Sequence, residues 1–132
     1  MRFLLDTNIL SAHLRRPAAL AHRFFQHSGR LYTSSLCLGE LYVWAYGRND
    51  PAPMIASIDK LLRFEVVNIP FDDDCARTFG KVRIDLRALG LDKDTVDLMI
   101  ASVALVHDLT MVTHNSADFQ NIPGLRLEDW LT

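Results

Sequence analysis

The sequence predicts an α/β protein whose central parallel β-sheet, of about five short strands, is flanked by helices on both faces. The first observation behind this prediction is that short apolar segments alternate with longer segments of helical periodicity. The second is that polar clusters at 6–8 and 113–115 directly follow two of the short segments, as happens where a buried strand ends in a turn. The third is a length of 132 residues without repeat or linker, which fits one domain spanning 1–132.

Five short apolar segments are the predicted strands. They lie at 2–5, 31–34, 64–69, 109–113 and 125–127. The first stops at the polar cluster Asp6-Thr7-Asn8, and the third is closed by Pro70, which cannot donate to a sheet ladder. Because strands and helices alternate, neighbouring strands are expected to run parallel.

Five helical segments separate these strands. They are predicted at 9–27 with an interruption near Pro17, from Ser34 or Ser35 to Tyr46, at 52–63, at 75–89 and at 95–107. The fourth has apolar residues that step by four and three positions, and Gly90 ends it. Those apolar positions are Cys75, Phe79, Val82, Leu86 and Leu89. The fifth is rich in small apolar residues and is expected to be buried.

Composition and charge exclude several classes of protein. Hydrophobic residues make up 49% of the chain, which argues against disorder, and the net charge of −2 excludes a wholly basic nucleic-acid binder. No apolar run is long enough to span a membrane, and the first residues lack a signal-peptide pattern. Cys37 and Cys75 are interpreted as small buried hydrophobes rather than a disulfide. These observations predict a cytoplasmic protein.

Four carboxylates, well separated in the sequence, fall at or near the carboxyl ends of predicted strands. They belong to Asp6, Glu40, Asp97 and Asp118. Ligands of open parallel sheets bind at this edge. Converging carboxylates need a cation to offset their repulsion, and an all-oxygen ligand set suits Mg²⁺ or Mn²⁺. Such an ion activates water and stabilises a leaving oxygen, which is the chemistry of phosphodiester hydrolysis.

Other catalytic motifs are absent from the sequence. The five histidines are scattered, without an HExxH pair for zinc. There is no GxxxxGK[ST] loop and no GxGxxG turn for a nucleotide, and no GxSxG elbow for a serine nucleophile. The carboxylates are therefore the main chemical signal.

Each of these acids also has a structural interpretation. Asp6 can cap the first helix, and Glu40 can be an exposed helix residue. Asp94 and Asp97, three apart at a helix start, resemble a capping box. Asp118 fits an ordinary turn. The two interpretations of Asp97 are compatible, because a first-turn carboxylate at the edge of the sheet can also face a metal.

Several polar, basic and aromatic residues also have both a functional and a structural interpretation. Thr7, Asn8 and Thr113 either orient carboxylates and substrate or only cap helices and turns. Four basic residues of helix 75–89 either hold nucleic-acid phosphates or form a solvated face, namely Arg77, Lys81, Arg83 and Arg87. Three aromatic residues, Tyr42, Trp44 and Tyr46, either stack on bases or pack in the core.

Four blocks of the sequence together resemble a known family. They are FLLDTNILS at 3–11, SSLCLGELYVWAYG at 34–47, DLMIASVALVHDLTMVTHNSADF at 97–119 and PGLRLEDW at 123–130. In this order, over nearly the whole chain, they resemble PIN-domain ribonucleases, and above all VapC-type toxins of type II toxin–antitoxin systems.

This resemblance implies a single PIN domain with metal-dependent endoribonuclease activity on RNA. It also implies a cognate VapB-like antitoxin and a homodimer. By motif position, Asp6 and Glu40 match the first two metal-binding acids, and Asp97 opens the D-x-x-I-A-[AS] block. Asp118 is the expected fourth acid, with Asn115 as a hydrogen-bonding neighbour.

Two other functions and one partner surface follow from the residues. A receiver-type phosphoacceptor domain would use an acid at 72–74, but it lacks the expected lysine after the last strand. A non-catalytic RNA- or protein-binding module would not need all four acids. Apolar residues in 34–47 and 52–63 predict a groove for the amphipathic helix of a partner.

Overall fold

The computed structural model describes residues 1–132 and contains five β-strands and six α-helices. The strands are β1 (Phe3–Leu5), β2 (Leu31–Ser34), β3 (Val67–Ile69), β4 (Thr110–Val112) and β5 (Leu127–Glu128). The helices are α1 (Thr7–Arg15), α2 (Pro17–Gln26), α3 (Ser35–Tyr46), α4 (Ala52–Phe64), α5 (Asp73–Ala88) and α6 (Thr95–Val106). A short 3₁₀ helix covers Ser116–Phe119.

Strand β1 lies at the centre of the sheet, whose order is β3-β2-β1-β4-β5. All pairings are parallel, and Phe3 aligns with Leu31 of β2 on one side and with Thr110 of β4 on the other. The first three strands extend the sheet in one direction, and the chain then returns to place β4 on the opposite side of β1. The carboxyl end of β1 is therefore the switch point at which open parallel sheets bind ligands.

Successive side chains of β1 pack on opposite faces of the sheet, because the side-chain period of a strand is two. Phe3 and Leu5 belong to one cluster of 14 buried residues, whose helical members come from α1 to α4. Leu4 belongs to a second cluster of 14, built mainly from α5 and α6. Both faces of the sheet are thus covered, and the predicted α/β fold class is confirmed.

Capping residues explain where the helices begin. The side chains of Asp6, Ser34, Asp72 and Asp94 each accept a hydrogen bond from an amide in the helix turn that follows. Pro17 separates α1 from α2, because the residue before a proline is disfavoured in a helix. The predicted segment 9–27 is therefore two helices that meet near Pro17.

Two strand boundaries differ from the sequence prediction. The third strand covers only 67–69, because Phe64 stays in α4 and the amides of Glu65 and Val66 both donate to the Leu61 carbonyl. The fifth lies at 127–128, where its pairing with β4 places it. A local apolar pattern does not contain these pairing constraints.

Helix α5 is partly different from its predicted pattern. The helix ends before Leu89, whose side chain is 67% exposed and lies outside the buried stripe. On its basic face, Arg83 donates to Asp92 at 2.7 Å, and Lys81 donates to Asp85 at 2.7 Å. Both cations are therefore engaged within the protein. Lys81 is 73% exposed and fits the interpretation of a solvated face, whereas Arg83 is only 13% exposed and is held against the loop before α6.

Three further sequence predictions concern the two cysteines, membrane-spanning helices and the burial of α6. Cys37 and Cys75 are both buried and free. None of the helices combines the length and the apolar character needed to cross a membrane. Helix α6 has six buried residues among its twelve, in agreement with the predicted burial.

An aromatic cluster closes the first core. The ring of His27 lies 4.5 Å from that of Phe3 and stacks on Trp130 at a centroid distance of 5.4 Å. Its Nδ1 is buried without a hydrogen-bond partner. Burial, followed by the nearby cations of Arg30 and Arg23, lowers the pKa of His27 below its ordinary value of 6.5.

We predict that His27→Phe makes the protein less sensitive to acid. Because the pKa of His27 is lower in the folded state, its protonation favours unfolding, and stability is lost as the pH falls through 6.5. Between pH 7.5 and 5.5, the Tm of the parent should fall by about 2–4 °C more than that of the variant, measured by calorimetry. His22→Gln, at an exposed histidine of α2, controls for the loss of a histidine. Equal falls in parent and His27→Phe would contradict the prediction.

Candidate active site

The carboxyl edge of the sheet opens into a polar cleft of about 330 Å³. Its lining consists of Asp6, Thr7, Asn8, Ser11, Glu40, Trp44, Asp97 and Asn115. Six of the eight residues predicted for the site therefore lie together. Of the other two, Thr113 is buried next to Asp6, and Asp118 is exposed on the 3₁₀ helix.

Asp6 follows β1 directly and is 7% exposed. Its Oδ1 accepts a hydrogen bond from the amide of Thr7 at 2.8 Å, and its Oδ2 accepts one from the Thr113 hydroxyl at 2.8 Å. The side-chain amide of Asn8 donates to the same Oδ2 at 3.4 Å. Parallel pairing of β1 with β4 causes this arrangement, because it brings the residues that follow both strands to one place. The hydrogen bonds offset the cost of burying a carboxylate.

Glu40 reaches the cleft from the second turn of α3. The Thr7 hydroxyl donates to its Oε1 at 2.9 Å. Since the amide of Thr7 already binds Asp6, one residue orients both carboxylates. The orienting role proposed for Thr7 from the sequence thus has a geometric basis.

The loop after β4 is tied to the start of α1. The amide of His114 donates to Asn8 Oδ1 at 3.1 Å, and the amide of Asn115 donates to the Thr113 hydroxyl at 3.0 Å. The His114 ring is 3.0 Å from the Asp129 carboxylate. Asn8 and Thr113 therefore position backbone as well as carboxylate, and Asn115 lines the cleft as a result.

Asp94 and Asp97 have different roles at the start of α6. Asp94 Oδ2 accepts hydrogen bonds from the amides of Val96 at 3.1 Å and Asp97 at 3.2 Å. Asp94 is therefore the cap, while Asp97 lines the cleft. The sequence alone left both roles open for Asp97.

The cleft concentrates negative charge around Asp97. The pKa of Asp97 is raised to about 6. Burial of its side chain is the largest cause, and the negative charges of nearby carboxylates are the next, in the order Asp94, Asp118, Asp6 and Glu40. Asp118 does not line the cleft, but its charge acts on Asp97. The acids are held closer together than their charges favour.

Cys37 is a neighbour of the site that the sequence did not single out. Its Sγ donates to Asp6 Oδ1 at 3.6 Å, and burial, then the Asp6 charge, raises the pKa of this thiol to about 12. The thiol is therefore protonated and is a hydrogen-bond donor rather than a nucleophile. The only feature of the sequence that could have indicated its place at the site is its position three residues before Glu40 on α3.

Trp44 is the aromatic residue of α3 that lines the cleft. The guanidinium of Arg48 lies over its ring, 5.4 Å from the centroid. Tyr42 and Tyr46 instead lie beside each other, with ring centroids 6.3 Å apart. Of the three aromatic residues, Trp44 alone is placed to contact a ligand of the cleft.

The donor chemistry of the cleft fits a hard divalent cation. In the structure, no three acidic, histidine or cysteine side chains are grouped closely enough to hold one ion. The available carboxylates and amide side chains are nevertheless oxygen donors, as Mg²⁺ and Mn²⁺ prefer. A cation would also offset the repulsion that contributes to the raised pKa of Asp97.

The acids at 72–74 stabilise the start of helix α5 and do not form a phosphoacceptor site. Asp72 Oδ1 accepts a hydrogen bond from the amide of Cys75 at 3.0 Å, and Asp73 and Asp74 occupy the exposed first turn. Acids in this position stabilise the helix dipole. The receiver-type hypothesis thus loses its candidate acceptor.

Comparisons of the sequence and of the structure with known proteins indicate the same family. The PIN domain family matches residues 3–125. The chain is 33% identical over 132 residues to a tRNA(fMet)-specific endonuclease VapC of Shigella flexneri, covering 98% of each chain. It is 30% identical over 132 residues to ribonuclease VapC2 of Haemophilus influenzae, covering 99% of each.

Solved structures of two toxin–antitoxin complexes contain a similar chain. DNA-bound VapBC from Salmonella typhimurium matches with a TM-score of 0.90 and 30% identity over 98% of each chain. VapBC-1 from nontypeable Haemophilus influenzae matches with a TM-score of 0.86 and 30% identity over 100% of each chain. Since the family match and the full-length similarities agree with the observed fold, this chain belongs to the PIN-domain family, among the relatives of the VapC ribonucleases.

Proposed function

We propose that this protein is a divalent-metal-dependent endoribonuclease and the toxin of a VapBC-like pair. The observation that carries the proposal is the convergence of Asp6, Glu40 and Asp97 on one cleft, where the pKa of Asp97 is raised. Repelling carboxylates reduce the stability of a fold, so their proximity is explained by a positively charged ligand. The similarity to VapC ribonucleases supports the same conclusion.

Mg²⁺ or Mn²⁺ is the proposed cofactor. Asp6, Glu40 and Asp97 would supply its carboxylate ligands after side-chain movements, since they line one cleft but are not grouped closely enough in this structure to hold one ion. Asp118, outside the cleft lining, would be the fourth acid, and Asn115 a neighbouring oxygen donor. When bound, such an ion favours ionisation of water and stabilises negative charge on a phosphate and its leaving oxygen.

The protein itself orients these groups for hydrolysis. A water oxygen bonds to phosphorus while the bond to the leaving oxygen breaks, and a proton from water ends on that leaving oxygen. Thr113 and the Thr7 amide fix Asp6, and the Thr7 hydroxyl fixes Glu40. No protein nucleophile is needed, and the protonated Cys37 does not supply one.

We propose a structured RNA as substrate, with initiator tRNA as the first candidate. Two relatives, from Shigella flexneri and Salmonella typhimurium, are named tRNA(fMet)-specific endonucleases and are each 33% identical to this chain. The reaction would take place in the cytoplasm, where tRNA is used, as expected from the sequence.

An apolar groove between α2 and α4 is our proposed antitoxin site. It has a volume of about 540 Å³, and Phe24, Phe25 and Phe64 contribute to its lining. Phe25 is 86% exposed and Phe64 is 74% exposed. At one side of the groove, His13 and Glu65 lie 3.2 Å apart. Exposed aromatic rings with flanking polar groups suit an amphipathic helix, and the solved VapBC complexes support such a partner.

The groove lies elsewhere than the sequence predicted. Most apolar residues of 34–47 and 52–63 pack against the two cores and are unavailable to a partner. Ile58 and Leu61 are buried, and Leu36, Tyr42, Trp44, Met54 and Leu62 are partly buried against the cores. The groove expected between those two helices therefore loses most of its apolar lining to the cores, although Tyr46 is 66% exposed. The groove beside α2 exposes more apolar surface and is the better supported site.

The homodimer implied by the resemblance is also a proposal. Val43 and Tyr46 on α3 and Ile84 on α5 are large apolar side chains with exposures of 75%, 66% and 60%. A second copy of the chain would remove such side chains from water.

We predict that Asp6→Asn reduces metal-dependent cleavage of initiator tRNA by more than about 100-fold. The change keeps the size of the side chain but removes a charged oxygen ligand. Cleavage is measured on gels with Mg²⁺, with Mn²⁺ and with EDTA. Asp50→Asn, at an exposed acid outside the cleft, should cleave like the parent. Equal rates for Asp6→Asn and the parent would disprove the role of Asp6.

We also predict that Asp97→Asn stabilises the metal-free protein at pH 7.5. The raised pKa means that the charged carboxylate disfavours folding above about pH 6 and has no such effect below about pH 4. Solvent screens a half-buried group, so the gain is about 1 kcal/mol rather than the roughly 3 kcal/mol of the full shift.

The measurement is Tm in EDTA at pH 7.5 and pH 4, with Asp50→Asn as control. The stabilisation should vanish at pH 4. Added Mg²⁺ should raise the Tm of the parent but not that of Asp97→Asn, because a ligand stabilises only the state that binds it. A parent insensitive to Mg²⁺ and Mn²⁺ would contradict the metal site.

Phe25→Asp should weaken inhibition by a separately purified VapB-type antitoxin while leaving RNA cleavage intact. Removing an aromatic anchor typically costs about 2 kcal/mol, or roughly 30-fold in Kd. Titration of cleavage with antitoxin measures the change. Leu89→Asp, which alters another exposed apolar residue outside the groove, is the control. If both variants were inhibited equally, the groove would not be the antitoxin site.

A further inference from the structure

A second pocket, lined by three polar and three apolar residues, lies where α1 meets α2. It has a volume of about 430 Å³. Its lining consists of Ala12, Arg15, Arg16, Ala19, His114 and Leu131. We call it the elbow pocket, because the chain changes direction there between the two helices.

The break before Pro17 creates the elbow pocket. Arg16 ends α1 with φ −140° and ψ 75°, outside the helical region, because a residue that precedes proline is disfavoured in a helix. The two alanines of the lining have short side chains, which leaves space between the helices. Two consecutive arginines are thereby placed at one concave position.

The two arginines of the pocket have no acidic partner. Arg15 and Arg16 are exposed and take part in none of the ion pairs of the protein. The only side-chain bond of Arg15 is from Nε to the Ser11 carbonyl at 3.4 Å. His114 is the third polar residue, and the Asp129 carboxylate holds its ring through Nδ1 at 3.0 Å. The pocket therefore presents positive charge that the protein itself does not neutralise.

The elbow pocket is adjacent to the acidic cleft. On α1, Ser11 lines the cleft, and Arg15, one turn later and about 6 Å further along the helix axis, lines the pocket. The His114 amide donates to Asn8 Oδ1, so the pocket residue His114 is bonded directly to a cleft residue. An extended polyanion crossing the cleft would reach the pocket within a short distance.

The charge of the cleft favours a cationic neighbour for an RNA substrate, above all when no divalent ion offsets the carboxylates. The carboxylates that converge there repel a phosphate chain, and RNA binding depends on cations that contact phosphates. We propose that the elbow pocket binds a phosphate of the RNA strand next to the one at the acidic cleft, through Arg15 and Arg16. This inference rests on the proposed function, because it assumes an RNA substrate.

The test measures RNA binding without cleavage. Labelled initiator tRNA, transcribed in vitro, is titrated in EDTA with the parent and with R15Q/R16Q. We expect the double variant to bind about 10-fold more weakly near 0.1 M salt. The slope of log K against log salt should become shallower by about 0.7 to 0.9, as for the loss of one phosphate contact.

A matched control removes the same charge at the opposite edge of the sheet. Arg2 and Arg30 are exposed and lie just before β1 and β2, at the amino ends of the strands. R2Q/R30Q should bind RNA like the parent. Equal weakening in R2Q/R30Q, or a loss in R77Q/R87Q on α5 without one in R15Q/R16Q, would overturn the assignment. Circular dichroism confirms that each variant is folded.

Two further measurements separate phosphate binding from a structural role. R15K/R16K keeps the charges and should bind within about 3-fold of the parent, whereas weak binding by this variant would overturn a charge-based contact. With Mg²⁺, R15Q/R16Q should raise KM and leave the single-turnover rate at saturating protein unchanged. A fall in that rate with unchanged KM would also overturn the inference.

The failure of this inference is distinguishable from failure of the proposed function. Full RNA binding and cleavage by R15Q/R16Q would overturn the role of the elbow pocket alone. RNA binding that depends on Arg15 and Arg16, without cleavage in Mg²⁺ or Mn²⁺, would count against the nuclease alone. A parent that binds no RNA would overturn the elbow-pocket assignment.

Discussion

The buried carboxylate of Asp6 is the constraint on which the architecture of the site depends. A carboxylate that is 7% exposed must be hydrogen-bonded, and its partners come from different parts of the chain. Thr113 follows β4, the Thr7 amide begins α1, and Cys37 lies on α3. Only a sheet with β1 between β2 and β4 brings these groups together. The strand order and the first turns of two helices are therefore linked to a single side chain.

Around this fixed carboxylate the protein accumulates unfavourable charge. Thr7 holds Glu40 beside Asp6, and α6 presents Asp97 to the same cleft, where its pKa rises to about 6. This arrangement lowers the stability of the folded protein, which is typical of functional sites. The same concentration of negative charge that suits a divalent ion repels RNA. Cations next to the cleft, such as Arg48 over Trp44 and the two arginines of the elbow pocket, reduce this conflict.

The break before Pro17 has consequences for two surfaces. On one side it forms the elbow pocket beside the cleft, and on the other it directs α2 so that Phe24 and Phe25 line the groove facing α4. His13 of α1 stacks on Phe24 at a centroid distance of 3.6 Å and approaches Glu65 at the groove. A partner bound in the groove would therefore contact the same pair of helices whose junction borders the substrate. This gives a short physical connection between the proposed antitoxin site and the proposed RNA site.

The sequence by itself determined the fold class, the bounds of β2 and α3, and the convergence of Asp6, Glu40 and Asp97 at the carboxyl edge of the sheet, but not the position of Asp118 outside the cleft. These features depend on local periodicity, capping and the position of a residue relative to a strand end, all of which are local properties of the chain. Only the tertiary structure decided that Asp94 caps α6 while Asp97 lines the cleft, that Cys37 donates to Asp6, and that the apolar groove lies beside α2. Those outcomes depend on which faces of the helices cover the sheet, and that is set by packing between segments far apart in sequence.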